Sequence, residues 1–370
     1  MISRSYFMKL VLATGIYPPD IGGPATYVEK LAEELKKSGA EISVITYSDQ
    51  RSVIRDQHDV IHVWRSAFPF AHWWRYAQAL KKHAADADIV YAFSSVSCGV
   101  PLWMARLKKP KKVLRLGGDF FWERYTDLGG RKSMREWYGG GWGVGRLVRF
   151  LMGRILHSFD HVVFSTAFQQ ELYEKHYTLP QHSVIENAVS SFQSSDAAAR
   201  TAHSPFRLLV MSRLVGFKNT EALVRAMRVL PAGFQLTIVG EGPRKRRLQR
   251  LTQRLDLCGH IAFTSAVHGT DKREVMDMHD LLMLPSLTEI SPNVALEACS
   301  AGLPVLLTAE HGLSSVLAQG MVVRPLQFPE EIAIAIQEVA AAYPPAAAIP
   351  PNRPWACIAQ EHTALFRSLA

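Results

Sequence analysis

The stretch "FRLLVMSRLVGFKNTEALVRAMRVLPAGFQLTIVGEG" (206–242) decides the fold class. Its first part, "FRLLVMSRL", is an apolar run that reads as a strand. "NTEALVRAMRVLP" has apolar residues at helix spacing, and "FQLTIVGEG" reads as a strand again. Strand, helix and strand in that order make a βαβ unit, and repeated units make a parallel sheet. The pattern continues downstream with a helix at "PRKRRLQRLTQRLDL", a strand at "IAFTSAV", a short helix at "REVMDMHD", a strand at "LLMLPS", a helix at "PNVALEACSAG" and a strand at "LPVLLT". Upstream it is also present. "LVLATG" (10–15), "EISVITY" (41–47), "ADIVYAF" (87–93), "KKVLRLGG" (111–118) and "DHVVFST" (160–166) read as strands, and "TYVEKLAEELKKSG" (26–39) as a helix stopped by Gly39.

Between the two series, "SSFQSSDAAARTAHSP" (190–205) is polar, small and aperiodic, as a linker is. The chain of 370 residues exceeds the roughly 250–300 at which one core stops growing. The expectation is therefore α/β, with two Rossmann-like doubly wound domains over 1–190 and 204–345 and a last helix over 355–370. Ligands of such sheets bind outside the carboxyl ends of the strands, so two domains with these ends facing would form a cleft.

Composition narrows the class. The chain is 48% hydrophobic and 20% charged, ordinary for a globular protein, with a net charge of +9 that favours an acidic ligand, an anionic membrane surface or nucleic acid. Cys98, Cys258, Cys299 and Cys357 form no CxxC pair, which argues against a zinc site or a disulfide framework and fits a reducing cytoplasm. No run of 18 apolar residues is present. The start, "MISRSYFMKLVLATGIYPPD", reads as a first strand rather than a signal peptide, with Met8 as a candidate start.

Three loop-to-helix junctions suit an anion. In "SLTEISPNVALEACSAGLP" (286–304), Ser291 is a good N-cap and Pro292 a good first helical residue, which leaves the backbone N–H groups of Asn293 and Val294 at the positive end of the helix dipole. Glu289 precedes the cap at the ligand end of the sheet, and Glu297 lies on the face of Asn293. Two separated carboxylates suit a ligand with paired hydroxyls. A helix-dipole glutamate and a solvated loop glutamate would look the same. In "PPDIGGPATYVEKL", Gly22 and Gly23 let backbone approach a ligand at a helix start, with Pro24 as first helical residue; a plain glycine turn is the alternative. In "VMSRLVGFKNTEAL", Arg213 and Lys218 flank the loop before a helix capped by Asn219 or Thr220, where two cations would neutralise a diphosphate.

These stretches, with "TIVGEGPRKRRL" and "VIENAV" (184–189), resemble family four of the retaining nucleotide-sugar glycosyltransferases across nearly the whole chain. The resemblance implies the GT-B fold, with a final helix from Trp355 returning to the first domain. It implies that Glu289 binds donor hexose hydroxyls, Glu297 the ribose, and Arg213 and Lys218 the diphosphate, with Gly22 and Gly23 near phosphate and acceptor. Gly240 and Gly242 of "GEGP" (240–243) and the stretch "FTSAVH" (263–268) would lie near base and ribose. Two departures stand out. Relatives follow the first glutamate with Gly-aromatic-Gly, where this chain has "ISPN". Many carry a histidine after the fourth strand, where this chain has "RLGGDFFWER" (115–124), which makes Asp119, Trp122 and Glu123 the candidates there.

Other motifs weigh less. "DAD" (86–88) sits at the amino end of a strand and reads as solvated, not as a metal site. "GEGPRK" is no full dinucleotide fingerprint, which disfavours a dehydrogenase. "GRLVRFLMGRILHSFDHVVF" (145–164) is a basic amphipathic stretch that either meets membrane or packs Leu147, Leu151, Ile155 and Leu156 on the sheet. "FPFAHWWRYAQALKK" (68–82), with Trp73, and the glycine-rich "WYGGGWGVGR" (137–146) suit an acceptor. The reading is thus a retaining, metal-independent enzyme, needing no cofactor, that moves a hexose from a nucleoside diphosphate sugar to a glycan or lipid-linked acceptor in cell-envelope or exopolysaccharide assembly. The opposite sugar face shows no carboxylate, so the departing phosphate acts as base. It would be cytoplasmic, touching anionic membrane at its periphery and binding no nucleic acid. The alternative is a non-catalytic basic protein that binds polyanion or nucleic acid on the same fold.

Overall fold

The computed structural model describes residues 8–20, 22–49, 59–65, 68–140, 144–189, 201–267, 269–343 and 352–370. Most of the 190–205 linker, the chain start before Met8, Trp142 and its flanking glycines, and His268 lie outside the described residues. The chain divides into two compact units. The first holds Met1–Phe120, Gly140–Ala188 and Pro354–Ala370; the second holds Phe121–Gly139 and Val189–Arg353.

The first unit is built on a seven-stranded parallel sheet ordered β3-β2-β1-β4-β5-β6-β7. Its strands are β1 (Lys9–Ala13), β2 (Glu41–Ser48), β3 (Val60–Trp64), β4 (Ile89–Ala92), β5 (Lys111–Leu116), β6 (His161–Phe164) and β7 (Gln181–Val184). Central β4 and β6 are buried along their whole length, whereas edge strand β7 is not. A parallel strand covered on both faces reads as an unbroken apolar run, and that is how these central strands appear in the sequence.

Right-handed crossovers decide where the helices go. The step from β1 to β2 runs one way along the sheet and carries α1 (Gly23–Lys37). The steps from β3 to β4, β4 to β5 and β5 to β6 run the other way. They carry α2 (Pro69–His83), α3 (Gly99–Ala105) and, after α4 (Phe120–Asp127) and α5 (Met134–Gly139), α6 (Val144–Leu156) on the opposite face. α7 (Ala167–Glu174) leads to β7.

The second unit has a six-stranded parallel sheet ordered β10-β9-β8-β11-β12-β13. In chain order it runs β8 (Phe206–Met211), α8 (Thr220–Ala226), β9 (Phe234–Val239), α9 (Lys245–Arg254), β10 (Ile261–Thr264), α10 (Gly269–Asp277), β11 (Leu281–Leu284), α11 (Asn293–Ser300), β12 (Val305–Thr308), β13 (Val322–Arg324) and α12 (Pro329–Ala341). Each face has its own core. One packs Leu208, Leu223, Leu236, Leu281 and Ile336; the other packs Leu209, Leu282, Leu296, Cys299 and Leu307. Burial pushes the thiols of Cys98 and Cys299 up to about 12, so both stay protonated at neutral pH. Where the chain enters and leaves this unit, Val189 and Arg353 pair as an antiparallel bridge.

Two features differ from the sequence reading. The segment Phe121–Gly139, which that reading keeps inside 1–190, packs with the second unit. It is short-helical and rich in anchoring polar contacts, which no periodicity reveals. The last helix, α13 (Trp355–Leu369), belongs to the first unit and packs on α1. Its Trp355 ring stands edge-on to Tyr27 at 5.0 Å, its His362 Nε2 shares a 2.9 Å hydrogen bond with Tyr91 Oη, and Phe366 meets the Tyr91 ring at 5.4 Å.

Phe366 is fully buried. Removing its ring in Phe366→Ala should cost the first unit about 3–5 kcal/mol. Urea unfolding followed by the circular dichroism of the full chain measures this, and a loss below about 1 kcal/mol would mean that α13 is not part of the core.

Candidate functional site

The order of the second sheet reverses at one place. The chain leaves β8 toward β9 on one side, and β11 leads to β12 on the other. The loops after β8 and β11 therefore part, and a crevice opens at the carboxyl ends of these two strands. Those are the loops that carry Lys218 and Glu289.

Lys218 ends the 3₁₀ turn Gly216–Lys218. Its Nζ donates to Glu289 Oε1 at 2.6 Å, and Ser286 Oγ donates to the same oxygen at 2.5 Å. The side chains are 17% and 5% exposed, so this is a desolvated ion pair. The backbone of Glu289 is pinned as well: its N–H donates to Glu310 O at 2.8 Å, and its carbonyl accepts from Gly312 N at 2.7 Å. Among the described residues no donor reaches Oε2, which leaves one oxygen of a fixed carboxylate for a ligand. His311 forms a bridge with Glu289, and burial lowers its pKa, so its ring is neutral at physiological pH.

The second glutamate is also paired. Glu297 of α11 forms an ion pair with Lys272 of α10, both about a quarter exposed. The start of α11 corrects the sequence reading by one residue. Pro292, not Ser291, takes the N-cap position, and no side chain caps the helix. A proline cannot cap with its side chain, so the first N–H groups, at Asn293 and Val294, carry no side-chain acceptor. At α1 the shift is the same size: Gly22 is the N-cap and Gly23 the first helical residue, with Pro24 following. A Cβ on Gly23 would meet nothing within 4 Å.

Arg213 lies after β8 and makes a 3.6 Å pair with Glu123 of α4. That contact belongs to a strap, Phe121–Gly139, that laces over the loops of the second unit. Gly216 N donates to Asp127 Oδ1 at 3.1 Å, Arg244 Nη2 donates to Thr126 O at 2.8 Å, and Met134 N donates to Thr288 Oγ1 at 2.9 Å. The strap explains Trp122: the side chain is 1% exposed, stacks near Phe217 at 5.4 Å and donates to Lys132 O. It is a packing residue and not an exposed acceptor platform. A cavity of about 60 Å³ beside the strap, touching Thr126, Gly216 and Arg244, is far below the roughly 300 Å³ of a small-ligand site.

The remaining candidates separate. Asp119, in the first unit, is fully buried and accepts from Tyr173 Oη at 2.6 Å, so as placed it holds the core together and does not face a ligand. Trp73 is half-buried, with its ring edge-on to Phe70 at 5.8 Å. The glycines of "GEGP" have a local reason. Gly240 and Gly242 have φ of 148° and 156°, and a Cβ there would come within 2.0 Å of Ser212 O and 2.4 Å of Leu214 O. They let the β9–α9 loop lie on the β8–α8 loop, where Glu241 O accepts from Leu214 N at 2.8 Å. Asp88 of "DAD" accepts from Lys9 N at 2.9 Å, a strand-entry contact. The amphipathic stretch ends as a helix at Leu156; Leu156 is buried and Ile155 half-buried, but Leu147 and Leu151 are exposed, against the packing expected of them. Among the described residues no cluster of potential metal ligands occurs, and no helix is long and apolar enough to cross a membrane. Ser286, Lys272 and His311 carry no sequence signal of their own; only their distance from the glutamates marks them.

Residues 22–188 match the glycosyl transferase 4-like domain, and residues 205–342 match the glycosyl transferases group 1 family. The phosphatidylinositol N-acetylglucosaminyltransferase of Arabidopsis thaliana includes a chain that is 28% identical over 165 residues, 44% of the present chain and 37% of that protein. The present chain thus spans about a third of the length of the first curated relatives it matches. The alpha-monoglucosyldiacylglycerol synthase of Streptococcus pneumoniae is 22% identical over 337 residues, 85% of this chain and 74% of that protein. Among solved structures, the sucrose-phosphate synthase of Thermosynechococcus elongatus aligns with a TM-score of 0.79 at 20% identity, over 98% of this chain and 99% of that one, which shows a shared fold. With one family model on each half and the two parallel-sheet α/β units described above, the chain belongs to family four of the retaining nucleotide-sugar glycosyltransferases, which have the GT-B fold.

Proposed function

We propose that this chain moves a hexose from a nucleoside diphosphate sugar to a glycan or lipid-linked acceptor, with retention of the α configuration, in the assembly of a cell-envelope or exopolysaccharide glycan. It works at the cytoplasmic face of an anionic membrane. The observation that carries the reading is the fixed Glu289 carboxylate, locked through Oε1 by Lys218 and Ser286 with Oε2 open, at the switch point of the second sheet. Oε2 takes a donor hexose hydroxyl. One of the three N–H donors of Lys218 is used by Glu289, and the others face the diphosphate together with Arg213. The uncapped start of α11 adds the N–H groups of Asn293 and Val294 to the same charge. Glu297 takes the ribose hydroxyls by exchanging Lys272.

Cations and a helix start aimed at the departing diphosphate stabilise charge as it develops, without reorganising at the moment of reaction. The departing phosphate then serves as base on the same face of the sugar. Gly22 and Gly23 leave backbone room for phosphate and acceptor. The Streptococcus pneumoniae relative, named for a glucosylated diacylglycerol, supports a lipid-type acceptor. The polyanion-binding alternative has no support, since both family matches are to glycosyltransferases.

Calorimetry and kinetics test the division of labour. Glu297→Gln should weaken binding of free nucleoside diphosphate and raise KM, whereas Glu289→Gln should leave nucleotide binding intact and lower kcat. Arg213→Ala should weaken donor binding about tenfold, as expected for a charge-assisted contact of roughly 1.5–3 kcal/mol. Equal effects of both glutamine variants on nucleotide binding would sink the assignment. A panel of UDP-, GDP- and ADP-sugars identifies the base by thermal stabilisation.

Lys218→Met tests the buried pair. It strands Glu289 without its cation and should cost about 3–5 kcal/mol of stability. Adding Glu289→Gln should return most of the Tm without restoring transfer. If Lys218→Met melts like the wild type, the pair is not desolvated. Transfer should also persist in chelator, because cations of the chain balance the diphosphate; an absolute need for Mg²⁺ or Mn²⁺ would contradict that.

A further inference from the structure

The face of the first sheet opposite α1 carries a layer in which α2 packs on α3 and α3 on α6. Side chains exposed on such a layer point away from the sheet. Here they are large and apolar: Phe70 is 78% exposed, Trp74 57%, Trp103 59%, Leu147 60%, Phe150 61% and Leu151 45%. Phe70 and Trp74 are four residues apart on α2. Leu147, Phe150 and Leu151 form an i, i+3, i+4 stripe on α6. Singly, exposed apolar residues need no explanation; a run of them across three adjacent helices does.

The charges on these helices are one-sided. None of the three contains an aspartate or a glutamate, while α2 carries Arg75, Lys81 and Lys82, and α6 carries Arg146, Arg149 and Arg154. Arg106, Lys108 and Lys109 follow α3 directly and are exposed. A protein-binding face is usually apolar at the centre with rim charges of both signs, whereas an acid-free field of cations around tryptophan, phenylalanine and leucine matches an interface of anionic headgroups over acyl chains.

We propose that the outer face of α2, α3 and α6 docks on an anionic lipid bilayer, with Trp74, Trp103 and Phe150 inserted at the headgroup level and the cations paired with lipid phosphates. The proposal rests on the functional reading only for the presence of a membrane-borne acceptor. It assigns the surface and the lipid charge.

The test is co-sedimentation of the full chain with phosphatidylcholine vesicles, with and without phosphatidylglycerol. Wild type should bind the anionic vesicles, weakening as salt rises. The double variant Trp74→Ser/Phe150→Ser should lose at least tenfold in vesicle affinity. Lys81→Glu, Lys108→Glu and Arg154→Glu should each lose about fivefold on the anionic vesicles. All of them should keep nucleoside diphosphate binding by calorimetry. The proposal is overturned if wild type binds neither vesicle, if it binds both alike, or if the face instead pairs two copies, so that the chain is a dimer in gel filtration and Trp74→Ser/Phe150→Ser makes it monomeric without changing sedimentation. Vesicle binding without nucleotide binding would reject the functional reading and leave this one standing; nucleotide binding without vesicle binding would do the reverse.

Discussion

A parallel sheet whose strands run outward from its centre in two directions cannot keep all its loops together. That constraint governs the second unit. β8 leads to β9 on one side and β11 to β12 on the other, so the loops that follow β8 and β11 are the pair that separate at the carboxyl ends. Everything placed at the crevice follows from it: Lys218 on one lip, Ser286 and Glu289 on the other, and the start of α11 just beyond. The first unit has the same reversal between β1 and β4, which puts the loop leading to Gly22 and Gly23 at its own switch point.

Position alone would leave a carboxylate free to swing. What fixes Glu289 is the number of constraints on it, two donors on one oxygen and a backbone held through both N–H and carbonyl. Burying such a pair gains little net stability, because desolvation offsets the Coulomb attraction. Its use is geometric, since a locked oxygen orients its partner. Glu297 is held differently: its pairing with Lys272 is a quarter exposed, so a competing hydroxyl and water can exchange it at lower cost. The strap adds a further restraint. By donating to Thr288 and accepting from Gly216 and Arg244, residues 121–139 tie down both lips of the crevice. This segment comes early in the chain and acts on loops formed later.

The sequence made the layered architecture legible because central parallel strands are buried on both faces and show as unbroken apolar runs. The three strands it did not show, β3, β7 and β13, lie at sheet edges, where burial is incomplete or the strand is only a few residues long. Glu289, Glu297, Arg213 and Lys218 were visible because loop-to-helix junctions have local grammar. Ser286, Lys272 and the strap were not, since their roles arise from distances between segments far apart in the chain. Asp119 and Trp122 show the limit from the other side. Their position after the fourth central strand suggested chemistry, but packing took the carboxylate to Tyr173 and the indole to Phe217.

The net charge of +9 is a sum over unlike populations, which is why it could favour acidic partners without locating any. Some cations are already matched: Lys218 by Glu289, Lys272 by Glu297, Arg225 and Arg247 by Glu221. Such matched cations report on a site or on local stability. On α2, α3 and α6 there is no acid of the same helices to match, and the cations stand beside exposed aromatic rings. A solvated basic face in an ordinary protein mixes in glutamate and aspartate, because like charges repel and lower stability. A face that leaves them out while exposing tryptophan and phenylalanine carries both costs in solution, and contact with an anionic, partly apolar surface relieves both at once.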